Sequence, residues 1–372
     1  CDEYDSNTDF GEYDYIVDAI FGIGLSRKIE GRYAQIIQAV NNARDKGTSK
    51  VVAVDIASGI SADNGQIQGV EVINAGFVTD DILHSKVEGF GSIFTYDDKD
   101  AGRLLVRKPD SNKGTYGRTL IIAGSKNMGG AAILSASAAY RSGTGLVKVL
   151  THEVNKTALL CRMPECLIST YLDNMPLAAE LKADFEWAKS IAVGPGLSMN
   201  GVAAELTRCV LEREDKVRIL DADALNIIAA EHIDYKGSSE GKIIITPHIM
   251  EMSRLTGKTV ADIKEHMIES AKEYAIQHSC ICILKDARTV VTDGQKVYIN
   301  CTGNDGMSTG GCGDVLTGLI AGMTAMGLDA FEAACLSVYV HGKAGDYAAA
   351  GKGRAGMTAA DISEAIAYVL KR

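Results

Sequence analysis

Short β-branched runs alternate with longer, alanine-rich amphipathic segments along almost all of this 372-residue chain, and no other feature restricts its fold as strongly. Parallel strands cannot be joined by tight hairpins. They need a crossover, usually a helix, so the alternation implies α/β architecture with a mainly parallel sheet. Two such arrays are visible. The first runs from a strand at Ile16–Ile20, through a helix near Ala34–Ala43, to a strand at Val51–Asp55. Order fades between Asp80 and Ser111, where the chain is charged, turn-rich and weakly periodic. Pro109 and the Asp110-Ser111-Asn112 cluster place a boundary near Arg107, giving expected domains at 1–107 and 108–372. The second array predicts strands at Thr119–Gly124, Gly145–Thr151, Ser190–Val193, Val217–Leu220, Lys242–Thr246, Cys280–Lys285 and Thr289–Thr292, the last two forming a hairpin. Helices are expected over Gly130–Arg141, Gly201–Arg213, Val260–Gln277, Asp314–Met326, Ala330–Ala349 and Ala359–Leu370.

Composition narrows the functional classes. With 46% hydrophobic and 23% charged residues, and no apolar run of spanning length, the chain reads as a cytoplasmic globular protein without a membrane partner. A net charge of −10 opposes nucleic-acid binding and leaves small anionic ligands as candidates. Nine cysteines without C-x-x-C spacing read as reduced thiols. The N-terminus, Cys1-Asp2-Glu3-Tyr4-Asp5, has no initiator Met and no signal-like region, so a fragment or trimmed product is expected.

The chemistry concentrates where predicted strands end, the place at which open α/β sheets hold ligands. In Thr309-Gly310-Gly311-Cys312-Gly313-Asp314, a glycine-rich turn opens a small-residue helix. The amides of Gly310, Gly311, Cys312 and Gly313 and the positive helix end suit phosphate, and Asp314 suits a base that deprotonates an attacking hydroxyl. A tight loop with Asp314 as an ordinary N-cap fits the same residues. Gly124–Ala131 and Val193-Gly194-Pro195-Gly196-Leu197 are further strand-end turns, compatible with ligand approach or with plain packing. Asp221-Ala222-Asp223 offers two carboxylates, one suited to capping and the other to Mg²⁺ or water. Thr246-Pro247-His248-Ile249-Met250-Glu251 adds an imidazole and a carboxylate, and Lys285 with Thr289 could hold phosphate or ribose. Gly257-Lys258-Thr259 is no P-loop, because Met252 stands where its first glycine belongs. In the first array, Asp18 and Asp55 each end a strand before a glycine turn, which suggests a second small-molecule cleft.

Taken in order, these strings resemble the bifunctional NAD(P)H-hydrate repair enzymes, most specifically from Lys113-Gly114-Thr115-Tyr116-Gly117 onward. The landmarks recur as the Gly124–Ala131 turn, Ser142-Gly143-Thr144-Gly145, Gly194-Pro195-Gly196, Asp221–Asn226, Thr246-Pro247-His248, Lys285 and the Gly-Asp loop. The resemblance implies a ribokinase-like dehydratase domain preceded by part of a Rossmann-like epimerase domain. It implies dehydration of the S form of NADHX or NADPHX to NADH or NADPH, coupled to ADP in preference to ATP, with release of AMP and phosphate. Phosphorylating the ring hydroxyl would make it a good leaving group. Carried over by position, Ala131, Gly196, His248 and Asp314 would contact the hydrate. Lys285, Asp286, Ala287, Arg288, Thr289 and Gly313 would hold the adenine nucleotide. In the first domain, Asp18 and Ser58 align with K⁺ ligands, and Gly22, Ile23, Gly24, Leu25, Ser26, Arg27, Lys28 and Asp55 with epimerase substrate positions.

Departures weaken the epimerase half. Its first half is absent before Cys1, Ala57 replaces the usual proline, and Asp80-Asp81-Ile82-Leu83-His84 is unlike the family's continuation. Epimerisation of the R form is therefore expected only if a separate N-terminal fragment completes the domain; a homo-oligomer is expected. In the dehydratase half, Lys285-Asp286 replaces Lys-Gly, and Asn304-Asp305-Gly306-Met307 replaces Asn-Pro-Gly-Met. A ribokinase-like small-molecule kinase and a non-catalytic nucleotide-binding module are the competing readings.

Overall fold

The structure, a computed structural model, describes residues 8–21, 29–47, 49–53, 93–98, 100, 109–173, 180–238 and 242–371. Backbone contacts divide the chain into two units, Cys1–Val87 and Glu88–Arg372.

In the first unit, β1 (Tyr15–Asp18), α1 (Arg32–Asp45) and β2 (Lys50–Ala53) form a βαβ arrangement, with β1 parallel to β2 and Tyr15 opposite Lys50. Ile29, Ile37, Val40 and Val51 make its small core. Asp18 ends β1 almost fully buried, and its Oδ1 accepts the Ile20 N–H at 3.2 Å.

The second unit is built on a ten-stranded mixed sheet. Its strands are β3 (Ile93–Phe94), β4 (Arg118–Ile122), β5 (Leu146–His152), β6 (Leu167–Tyr171), β7 (Ser190–Val193), β8 (Val217–Leu220), β9 (Ile243–Ile245), β10 (Ile281–Leu284), β11 (Val290–Thr292) and β12 (Val297–Ile299). Their order is β3-β12-β11-β10-β9-β8-β7-β4-β5-β6. Every neighbouring pair from β10 across to β6 is parallel. β11 runs antiparallel to both β10 and β12.

The helices of this unit are α2 (Gly129–Ser142), α3 (Lys156–Arg162), α4 (Glu180–Trp187), α5 (Gly201–Leu211), α6 (Asp223–Glu231), α7 (Ile249–Thr256), α8 (Val260–Glu265), α9 (Met267–His278), α10 (Cys312–Ala325), α11 (Ala330–Lys352) and α12 (Ala359–Val369). They cover both faces of the sheet, which explains why its central strands are apolar throughout. Ile243 and Ile245 pack with Leu220 and Cys282 in one core, while Ile244 joins Ile219, Ile283, Leu319 and Ile320 in the core on the other face. Small residues let α10 lie directly against α2. A Cβ on Gly318 would stand 1.9 Å from the Ser135 carbonyl oxygen, and one on Gly322 would stand 2.0 Å from Ser142 Oγ.

The structure adds to the sequence expectations and departs from them. α3, α4, α6 and α7 were not among the expected helices, and the short β3 pairs with β12, which puts Ile93 and Phe94 in the second unit. Only two residues long, β3 leaves no periodic trace. The expected helix over Val260–Gln277 is two helices, interrupted at His266, whose backbone leaves the helical region (φ −127°, ψ 51°). β6 and β12 were not anticipated: the first is a half-exposed edge strand, and the second has three residues.

Candidate active site

Five neighbouring strands, β4, β7, β8, β9 and β10, deliver their carboxyl ends to one side of the sheet, where the N-terminus of α10 meets them. The β4 and β7 turns are tied together by backbone. Gly124 donates its N–H to the Pro195 carbonyl at 2.9 Å, and Ser125 donates to that of Gly196 at 2.6 Å. Ala131 and Gly196 are thereby brought together; a Cβ on Gly196 would stand 2.8 Å from that of Ala131. Gly194 has φ +127°, and a Cβ there would stand 1.8 Å from the Asp221 carbonyl oxygen, so a side chain is excluded twice over.

Asp221 is the fixed point of the site. Buried at the end of β8, it accepts hydrogen bonds from Lys285 Nζ at 2.9 Å and from Thr317 Oγ1 at 2.7 Å. Burial acts to raise its pKa, but Lys285 and the hydroxyls of Thr246 and Thr317 outweigh that and hold it below the ordinary carboxylate value. The same exchange keeps Lys285 charged: burial disfavours the ammonium, and Asp221, Glu251 and Asp314 together outweigh it. Asp223 is differently engaged, accepting the Ser198 N–H at 2.7 Å. Neither acid caps α6, whose N-cap position is Ala222 with φ +47° and no side-chain cap. The expectation that one of them is a cap is not met.

Asp314 sits inside the first turn of α10 and caps nothing; the N-cap position is Gly311, in the left-handed region at φ +93°. Burial first, then the charges of Asp221 and Asp223, push its carboxyl up to about 7, with Lys285 acting the other way. A half-buried carboxylate, unspent in capping and with its pKa raised toward neutrality, is suited to moving a proton. Gly313, one residue earlier, is close enough to Lys285 that a Cβ on it would stand 3.4 Å from Nζ. Helix amides and an ammonium therefore converge where an anion would sit.

His248 is the N-cap of α7. Its Nδ1 accepts the N–H of Met250 at 3.0 Å and of Glu251 at 3.2 Å, while Glu251 accepts the His248 N–H at 2.9 Å. This reciprocal box fixes the ring. Burial, Lys285 and Arg254 lower its pKa, so the neutral ring carries its proton on Nε2, 3.4 Å from Glu251 Oε1. Half-exposed, it can donate a hydrogen bond to a ligand.

A cleft of about 720 Å³ runs from this centre, lined by Lys285, Asp286, Ala287, Arg288, Thr289, Gly313, Cys312 and His248 among others. Its outer wall, Asn300–Ser308, includes the Asn304–Met307 string noted in the sequence, but no residue of it was named there as a site residue. Asp346 holds it, accepting from the Gly303 N–H at 3.0 Å and from Asn304 Nδ2 at 2.9 Å. The signal was present in His341-Gly342-Lys343-Ala344-Gly345-Asp346: glycines inside a helix mark a close approach. A Cβ on Gly342 would stand 2.1 Å from Thr302 Oγ1, and one on Gly345 would stand 2.3 Å from Met307 Sδ.

Among the described residues no group of three or more His, Cys, Asp or Glu side chains is arranged to hold a metal ion. With both oxygens of Asp221 taken, the carboxylates do not fit a dedicated Mg²⁺ site. Gly22, Ile23, Gly24, Leu25, Ser26, Arg27, Lys28, Asp55 and Ser58 lie outside the described residues. Among the described residues no helix is long and apolar enough to cross a membrane.

The NAD(P)H-hydrate dehydratase family model matches residues 119–368, which contain every element of this centre. The chain belongs to that family. It is a dehydratase of nicotinamide nucleotide repair, and residues 2–79 match the N-terminal region of YjeF-related proteins, so an epimerase region is partially present. The dehydratase is 36% identical over 393 residues to the bifunctional NAD(P)H-hydrate repair enzyme of Moorella thermoacetica, covering 96% of this chain and 73% of that one. It is 33% identical over 388 residues to the enzyme of the same name from Thermofilum pendens, with the same coverage. Among solved structures, it is similar to the ADP/ATP-dependent NAD(P)H-hydrate dehydratase of Bacillus subtilis co-crystallised with ATP/Mg²⁺ (30% identity, TM-score 0.66, 74% of this chain and 97% of that one). A ribokinase-like superfamily protein from Enterococcus faecalis gives 27% identity and a TM-score of 0.68 over 75% of this chain and 95% of that one. The expected ribokinase-like α/β fold is thus borne out.

Proposed function

We propose that this chain uses ADP to dehydrate the S forms of NADHX and NADPHX, releasing AMP and phosphate, with Asp314 as the base. One observation carries the assignment: a half-buried carboxylate, pushed up to about 7 by burial and by neighbouring acids, stands in the first turn of a helix beside Lys285 and Gly313. In the first step Asp314 takes the proton of the ring hydroxyl, the oxygen forms a bond to the β-phosphorus, and the bond from that phosphorus to AMP breaks. The Gly310, Gly311, Cys312 and Gly313 amides and Lys285 stabilise charge on the transferring phosphoryl group. In the second step the ring C–O bond breaks, phosphate leaves, the neighbouring carbon loses a proton, and the reduced nicotinamide is restored.

The small-residue floor at Ala131 and Gly196 takes the hydrated ring, and His248 donates to it. Lys285, Asp286, Ala287, Arg288, Thr289 and Gly313 hold the nucleotide, and Mg²⁺ would arrive with its phosphates. In the first unit, Asp18 and Ser58 would bind K⁺, a role that suits a buried carboxylate at a strand end. Epimerisation would require a complete epimerase domain, of which residues 2–79 match a part.

Asp314→Asn tests the assignment. A folded variant should lose activity by roughly 10²–10⁴-fold with ADP and NADHX, the usual worth of a general base. Wild-type turnover by that variant would remove Asp314 from the role. A stable phosphorylated product, in place of free phosphate and restored NADH absorbance, would show a kinase instead.

A further inference from the structure

The cleft wall contains a buried, unpartnered polar atom that the chemistry above does not use. His341 lies on α11 where that helix lines the cleft, and the residue is 9% exposed. Its Nε2 is buried without a hydrogen-bond partner among the described residues. The backbone of Cys312 favours the protonated ring, and with Nε2 unpartnered the nitrogen facing it is Nδ1. A contact of that sign is one in which the ring N–H points at the carbonyl. Burial nevertheless keeps the imidazole neutral, lowering its pKa to about 4. The single ring proton is therefore on Nδ1, and Nε2 presents a lone pair.

A buried acceptor with no donor is uncommon and unfavourable, so the missing donor is to be sought in what fills the cleft. Phosphate oxygens cannot supply it, since they too are acceptors. Besides its polar residues the cleft lining includes Met307, Leu316, Val338 and Gly342, apolar surface that suits a flat heterocycle or the face of a sugar. We propose that His341 is a nucleoside-reading residue, its Nε2 accepting a hydrogen bond from an N–H or O–H of the nucleoside half of the bound nucleotide. Two groups have that chemistry: the 6-amino group of adenine and a ribose hydroxyl. The inference rests on the cleft's being the nucleotide site.

Calorimetric binding to the full chain tests it without turnover. The probes are ADP, the diphosphate of purine riboside, which lacks the 6-amino group, and the 2′-deoxy and 3′-deoxy forms of ADP. One analogue should bind the wild-type protein about 10-fold more weakly than ADP, the loss of one buried hydrogen bond. In His341→Leu, ADP should weaken by a similar factor and that analogue's penalty should vanish, as a coupled pair requires. If the ribose is read, a deoxy form carries the effect; if the base, purine riboside diphosphate does. A purely structural histidine predicts equal weakening of all four probes, which would overturn the proposal. Should the variant not fold, the wild-type panel alone decides: equal affinity for all four overturns it. Failure of ADP itself to bind would overturn both this inference and the reading of the cleft.

Discussion

The end of β8 and the first turn of α10 place two aspartates close together, Asp221 buried and Asp314 half-buried, and the two are pushed in opposite directions. Asp221 is surrounded by donors, from Lys285, Thr246 and Thr317, and stays ionised. Asp314 caps nothing, faces Asp221 and Asp223, and is raised to about 7. Side-chain type is identical. What differs is whether the neighbouring groups donate or repel, and this divides a positioning group from one that can exchange a proton.

The largest expected effect comes from breaking the fixed member. Asp221→Asn would leave Lys285 buried beside Asp314 without its partner and should cost about 3–5 kcal/mol in denaturant unfolding. If its stability equals that of the wild type, Asp221 is not the anchor it is taken for here. Gly318→Ala tests the support of the other member. Forcing a methyl against the Ser135 carbonyl should cost about 1–3 kcal/mol and, by displacing α10, lower turnover as well.

Acid-base linkage sharpens the contrast. Because the pKa of Asp314 is raised on folding, its favourable contribution is fully present below the unfolded value near 4 and is lost as pH rises through about 7; Glu251, also raised to about 7 by burial, behaves alike. Asp221 has the reverse sign: its contribution is present above the unfolded value and lost as pH falls through its lowered one. At pH 8, Asp314→Asn should therefore be more stable than the wild type, by roughly 1–3 kcal/mol in chemical denaturation, while losing most of its activity. Wild-type kcat/KM should rise with pH up to about 7 and then level off, and the inflection should be missing from the residual activity of Asp314→Asn. A pH-independent profile between 5 and 8 would mean that Asp314 is not the titrating base.

The smallest effect is local. Asn200→Ala removes the side-chain cap of α5, whose hydrogen bonds are with Ala203 and Asp173 and with neither Asp221 nor Asp314, and should cost about 1 kcal/mol with no change in the pH profile. A change in that profile would show that the two acids are not the centre of the titration.

Much of this was legible in the chain. Strand-end turns at Gly124, Gly194, Asp221, His248 and Lys285 follow from apolar runs that stop at glycine or a polar residue. Even their shared location follows, because parallel strands all end on one side. Asp314 could be singled out as a candidate, but not separated from an N-cap; that required the backbone of Gly311. The two-residue β3 and the break at His266 left no periodic signal, so the strand was not seen and two helices were read as one.

By itself, then, the sequence determined the α/β class, the order of the elements and the family, since these rest on local periodicity and on strings of residues. Tertiary structure alone decided the electrostatics. Lys285 meets Asp221 across 64 positions of chain, and Thr317 meets it across 96. Charge–charge and hydrogen-bond energies depend on distance and burial, neither of which is written in sequence spacing, so the difference between Asp221 and Asp314 exists only in the folded chain.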